Sequence, residues 1–286
     1  MAISIETISR ASALRAPKMI VYGPPGIGKT TLACQASHDN MDAPESVVLI
    51  PTEDGIGRLQ VNHFPMVRTW NDLLLAVSLL IKSDRDYKTV VIDSLDAVEP
   101  MLFTHVCERD NKKTKEGIYS IEAYGYGKGI KTIAPDEARR LLVGLDMLRE
   151  ERGCAVVLVA HSHSRRIDPP DSDSFDRYEM KLVSRELVGL FVEWADAILF
   201  ANYEQTIVTD DSRGKDRKRA VGEGSRVLYT EQRPAWIAKN RYGLPPKLPL
   251  SWSAFADAFA ASVARTRQTQ TSQPLPQSQP EIVPAS

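Results

Sequence analysis

Gly23-Pro24-Pro25-Gly26-Ile27-Gly28-Lys29-Thr30, followed by Thr31, is the stretch that decides the fold. It fits the pattern Gly-x-x-x-x-Gly-Lys-Ser/Thr in full. The β-rich run Lys18–Tyr22 precedes it, and a helix-like stretch from Lys29 to about Ser37 follows. Glycines let a backbone wrap closely around an anion with successive N–H groups pointing inward, and the following helix aims its positive end at the same place. Lys29 would neutralise charge on the β- and γ-phosphates, and the Thr30 hydroxyl suits a magnesium ion. Strand, loop and helix in that order argue against a chance glycine turn. These residues predict a site for ATP with Mg2+ over Gly23–Thr31.

Outward from the loop, unbroken apolar runs recur at Val47–Ile50, Thr89–Ile92, Ala155–Ala160 and Ala197–Ala201. Such runs suit strands covered on both faces, as in parallel sheets. Between them lie helix-period segments at Asn71–Ile81, Leu95–Cys107, Pro135–Arg152 and Ser184–Trp194. Proline followed by Asp136 and Glu137 is a good helix start. The alternation predicts an α/β fold with a doubly wound, mostly parallel sheet. Three short antiparallel strands are then expected at Glu204–Thr209, Ser225–Thr230 and Ala235–Lys239, with a charged turn over Asp210–Arg219 and a closing helix over Trp252–Val263. The expected organisation is an N-terminal segment 1–16, one ATPase domain 17–265, and a disordered Gln/Pro/Ser-rich tail 266–286.

Two acids complete the predicted site. Asp93 ends the Thr89–Ile92 run, where a strand tip would hold it near the magnesium. Glu53 or Asp54 follows the Val47–Ile50 strand across Pro51 and Thr52, so either carboxylate can sit beside the γ-phosphate and orient a water.

With these pieces placed, the sequence resembles the RecA-like P-loop ATPases. Ile50-Pro51-Thr52-Glu53-Asp54-Gly55 is similar to the segment in which a glutamate after the second strand activates water, and Val90-Val91-Ile92-Asp93-Ser94 is similar to the Walker B strand. Ala155–Ala160 ending in His161 resembles the strand whose last polar residue senses the γ-phosphate. Ala238-Lys239-Asn240-Arg241 is similar to the Lys-x-Arg finger that, in ring ATPases, reaches a neighbouring subunit's nucleotide. A Lys and an Arg two apart on a strand also share a face and can approach one phosphate; a basic strand end stacked on Tyr242 is the other reading. The overall match is to short phage-encoded RecA-like recombinases, through Tyr126-Gly127-Lys128-Gly129, Glu193-Trp194-Ala195-Asp196 and Ala238–Pro245, and it spans roughly residues 17–250. It implies ATP hydrolysis, single-stranded DNA as partner, homo-oligomers as ring or filament with nucleotide at subunit interfaces, annealing or strand pairing as outcome, and a host-cell cytoplasmic location.

Three segments carry the cations such a partner would need. Asn111–Lys131 combines Lys112, Lys113 and Lys128 with Tyr124 and Tyr126, the mix of phosphate-tracking charge and flat rings used by single-strand binders; a mobile lid fits equally well. Ser162–Glu179 holds Arg165 and Arg166 but is acidic overall. Asp211–Arg219 has five cations against two acids, net +3, and is read as a solvated hairpin tip before a DNA grip. His161 and His163 with Asp168 lack a fixed third-ligand spacing, so no metal beyond the nucleotide's magnesium is expected.

Bulk properties set the outer bounds. The 286 residues carry a formal net charge of −1, so a nucleic-acid surface has to be a local patch. Cys34, Cys107 and Cys154 are far apart in apolar surroundings and read as buried thiols in a reducing compartment. No secretory signal and no apolar span of about 18 residues is present, so no membrane partner is expected; a single-strand-binding protein is a possible partner for the tail. The alternatives are a helicase-like or packaging motor, a KaiC-like regulatory ATPase without nucleic acid, and a small-molecule kinase.

Overall fold

The protein is described here as a computed structural model covering residues 15–35, 44–114, 117–204, 206–210, 217–221 and 224–271. Each apolar run forms a strand: β1 Lys18–Gly23, β2 Val47–Pro51, β4 Thr89–Asp93, β5 Ala155–Ile167 and β7 Ala197–Tyr203. With the two-residue β3 Asn62–His63, they pair in parallel in the order β7-β1-β5-β4-β2-β3. An antiparallel extension continues past β7, through β10 Arg226–Tyr229 and β12 Lys247–Pro249, with β11 Lys239–Asn240 pairing with the start of β7.

Alternation of side chains across this sheet explains why the runs are apolar without a break. Ile20, Tyr22, Val90, Ile92, Val156, Leu158, Ile198 and Phe200 face one core, built with α2 Trp70–Lys82, α3 Leu95–Thr114, α4 Ala134–Arg152 and α5 Arg185–Trp194. Met19, Val21, Val91, Val157, Val159, Leu199 and Ala201 face the other, covered by α1 Lys29–Cys34 and α6 Trp252–Thr271. Period two along each strand sends successive residues to opposite faces, so a strand between two helical layers has no polar positions to spare. Cys34, Cys107 and Cys154 are buried and free. Among the described residues, no helix is long and apolar enough to cross a membrane.

The structure departs from the sequence expectations in several places, one being the strand expected at Ala235–Lys239, of which only β11 Lys239–Asn240 forms. The expected loop Asn111–Lys131 is largely helical: α3 runs to Thr114, a 3-10 turn spans Ile121–Tyr124 and a π-helical turn spans Gly129–Ile133. Helix propensity carries α3 on to a polar C-terminal end, and Ile121 anchors the next turn in the core. Ser162–Glu179 is a β-hairpin, because β5 continues to Ile167 and pairs antiparallel with β6 Phe175–Met180. Part of the expected charged turn is a strand: β8 Thr206–Asp210 pairs with β9 Arg217–Val221, while residues 211–216 lie outside the described residues. Helix α6 extends to Thr271, into the stretch read as tail; 272–286 lie outside the description, as do 1–14, 36–43 and the remaining short gaps.

A buried carboxylate ties the helices of the first core together. Glu137 accepts from Trp70 Nε1 (3.1 Å), Arg109 Nη1 (2.8 Å) and Arg140 Nη1 (2.6 Å), joining α2, α3 and α4. Burial alone would raise this carboxyl, but the Trp70 and Arg140 hydrogen bonds and the Arg140 and His105 charges outweigh it and hold it below the ordinary range. A carboxyl depressed in the fold stabilises above its unfolded pKa, about 4.3, and loses that contribution as pH falls through the lower folded value. Glu137→Gln is therefore expected to cost about 1–3 kcal/mol at neutral pH, with the two proteins converging below about pH 4. Urea denaturation across that range checks this; a gap independent of pH would contradict it.

Candidate functional site

The loop leaves β1 at Gly23, where the chain has no room for a side chain: a Cβ there would lie 2.2 Å from the Ala201 carbonyl oxygen on β7. Gly26 (φ 75°) and Gly28 (φ 110°) adopt the left-handed backbone that turns successive N–H groups inward, and Gly28 caps α1. Arg226 on β10 braces the turn from outside, its Nη1 donating to the Ile27 carbonyl at 3.1 Å. A Cβ on Gly28 would meet the same nitrogen at 3.0 Å. A carbonyl held outward by Arg226 leaves the neighbouring N–H free to face the loop's hollow.

Lys29 is buried, with Nζ donating to the Pro24 carbonyl at 3.0 Å. Burial lowers its pKa, and the carboxylates of Asp93, Asp96 and Glu53 work against that. Thr30 Oγ1 donates to Asp93 Oδ2 at 2.5 Å, bridging the first turn of α1 and the tip of β4. Burial pushes the Asp93 carboxyl above the usual carboxylate range; the Thr30 hydrogen bond opposes this, as do Lys29 and His161, while Glu53 adds to it. A half-buried hydroxyl oxygen beside a buried carboxylate, next to an inward-facing glycine turn and a lysine, is an oxygen donor set that fits a magnesium–triphosphate.

The adjacent strand ends are locked in register. Pro51 lies opposite Asp93, Thr52 N donates to the Asp93 carbonyl (2.8 Å), and Thr52 Oγ1 accepts from Ser94 N and donates to Ser94 O. Glu53 emerges from this lock with Oε1 4.0 Å from His161 Nδ1, whereas Asp54 is exposed. His161 sits opposite Gly23 in the β1–β5 register. Asp96, which sequence reasoning passed over, grips it twice: Oδ1 accepts from the His161 backbone N–H (2.8 Å) and Oδ2 lies 2.7 Å from Nδ1. Ligand atoms of Glu53, Asp96 and His161 all lie within 4.8 Å of one another. The metal constellation weighed from sequence, His161 and His163 with Asp168, is not the one assembled: Asp168 is exposed beside Arg166.

Lys239 and Arg241 are engaged elsewhere. They lie at the entry end of β7, opposite the loop, where Lys239 Nζ donates to the Val192 and Glu193 carbonyls (2.7 and 3.0 Å) and Arg241 Nη1 to Asp196 Oδ1 (3.1 Å). The C-terminal carbonyls of α5 and a buried aspartate offer these cations nearer acceptors than any phosphate held by their own chain. The finger resemblance concerns a neighbouring subunit's nucleotide; within their own chain both cations are engaged away from the phosphate loop.

Among the proposed DNA contacts, Tyr124 is withdrawn: its hydroxyl donates to Asp110 Oδ2 (2.8 Å) and its ring packs against the core. Arg165 is mostly buried, donating to the Leu182 carbonyl with Glu179 3.6 Å away. Tyr126, Lys112, Lys128 and Arg166 are exposed, and Lys113 lies on the last turn of α3. Asp96 had a visible signal, a second acid three residues after Asp93 and so on the first turn of the following helix. Arg226 had none, because its place depends on how the extension docks on β7.

A family model described as AAA domain matches residues 15–242. No curated protein matches the chain.

Arg226→Ala is expected to weaken ATP binding about tenfold, the loss of one hydrogen bond that shapes the loop. Titration with a fluorescent ATP analogue measures this; an unchanged dissociation constant would show that the loop keeps its form without Arg226.

Proposed function

We propose, from the premise that the chain belongs to this AAA-domain family of P-loop ATPases, that its ATP hydrolysis drives a cycle of single-stranded-DNA binding in homologous recombination, as the resemblance to short phage-encoded recombinases implies. One observation carries the reading. The strand that places His161 beside the phosphate loop continues without a break into the hairpin bearing the exposed Arg166, which gives a shift at residue 161 a continuous route to a surface outside the nucleotide site.

In this reading Thr30 and Asp93 would hold magnesium, which would supply positive charge against the phosphates. The glycine turn and Lys29 bind the triphosphate. Glu53 orients the attacking water and takes its proton. Asp96 fixes the orientation of His161, which contacts the γ-phosphate and changes position once that group leaves. Lys112, Lys113, Lys128 and Arg166 track the DNA backbone, and Tyr126 stacks on a base. Homo-oligomer formation places Lys239 and Arg241 at a neighbour's site only if the interface draws them from Val192, Glu193 and Asp196.

ATP turnover titrated with an oligonucleotide tests the central step: stimulation is expected, and equal rates with and without DNA would sink the recombination reading. Lys29→Ala should abolish ATP binding, and a variant that still binds tightly would contradict the site. Asp96→Asn should lower turnover about tenfold or more, by misplacing His161, with little change in ATP affinity. A variant with wild-type turnover would leave Asp96 a structural role only.

A further inference from the structure

A cavity of about 540 Å³ opens between α3 and the β5–β6 hairpin, two residues along β5 from His161. Phe103, Pro100, Leu182 and Val183 make its walls apolar, and Lys181 stands exposed beside it. Its two acids are already used. Asp96 holds His161, and Glu99 accepts from the backbone N–H groups of Val183 (2.7 Å) and Ser184 (2.9 Å). Two buried polar atoms lack a hydrogen-bond partner among the described residues, His163 Nε2 and Arg165 Nη1 (the latter 3.6 Å from Glu179 Oε2), and both residues line the cavity. His161, His163 and Arg165 alternate along β5 and therefore share the face that looks at α3.

Buried polar atoms are normally paired, and an unpaired one marks a place where a partner belongs. The partner's chemistry follows from the lining. The space lies within the range of small-molecule pockets, and Phe103 offers a flat apolar surface. Burial and the adjacent Arg165 charge lower the His163 pKa and so favour the neutral ring, which has one nitrogen to donate and one to accept. Phosphate only accepts. A base edge does both, and Arg165 can donate to a base carbonyl while Lys181 meets the strand's backbone.

We infer that this cavity receives one nucleobase of a bound single strand, its edge against His163 and Arg165 and its face against Phe103. This rests on the single-strand reading above and adds to it a site that senses bases as well as phosphates. Through β5 and the Asp96–His161 clamp, an occupied cavity lies in direct structural continuity with the nucleotide site.

The test uses the full chain with ATP and magnesium, and compares a labelled thymidine oligonucleotide of about 15 nucleotides with an abasic strand of the same length. The thymidine strand is expected to bind about tenfold tighter or more. His163→Ala, and independently Val183→Asp at the cavity wall, should reduce that ratio to about twofold or less while leaving thermal stability and DNA-free ATP turnover unchanged. Equal binding of the two strands by the wild type would overturn the base pocket and leave the single-strand reading standing, as would a base preference that survives both substitutions. Failure of both strands to bind would overturn the pocket and the single-strand reading together.

Discussion

Everything at the nucleotide end of this protein depends on keeping a lysine and an aspartate buried within one small space. Neither charge tolerates burial alone. Lys29 is stabilised by three carboxylates and the Pro24 carbonyl, and Asp93 by Lys29 and the Thr30 hydroxyl. That mutual dependence is possible only because β5 lies between β1 and β4 and because Thr52 ties β2 to β4 at the backbone. The sheet order is thus the means by which side chains distant in sequence are brought within hydrogen-bonding reach.

The same geometry explains why the rest of the site lies where it does. The parallel pairing ends along one edge: Gly23 and Asp93 end their strands, Glu53 lies just beyond β2, and His161 is where β5 leaves the parallel sheet for the hairpin. This is where open α/β sheets present ligands. The opposite edge holds a second ionic cluster, Asp196 with Arg149, Arg241 and Tyr242, which anchors β11 and α5. Within the chain Arg241 and Tyr242, which follow β11, are held to Asp196 just before β7.

Legibility in the sequence followed the range of the interactions. The five long strands and the helices between them were readable because their apolar patterns are local and both faces of the sheet are covered. Asp93 was readable because it ends such a run. The hairpin was not, since the stretch 162–177 is largely polar and only its base, through Tyr178 and Met180, reaches the core. Tyr124 looked like a stacking platform because a tyrosine among lysines and glycines carries no mark of its hydroxyl's distant partner, Asp110. Arg226 acts through a residue 199 positions away, a distance over which sequence pattern is silent.

The central claim is that Gly23–Thr30 and Asp93 together hold a magnesium–triphosphate, and titration calorimetry with ATP tests it most directly. The account predicts a heat of association for the wild type that strengthens when magnesium is added, and an Asp93→Asn variant in which magnesium no longer matters. No association heat in the wild type, or a magnesium effect that survives loss of the Asp93 charge, would contradict it.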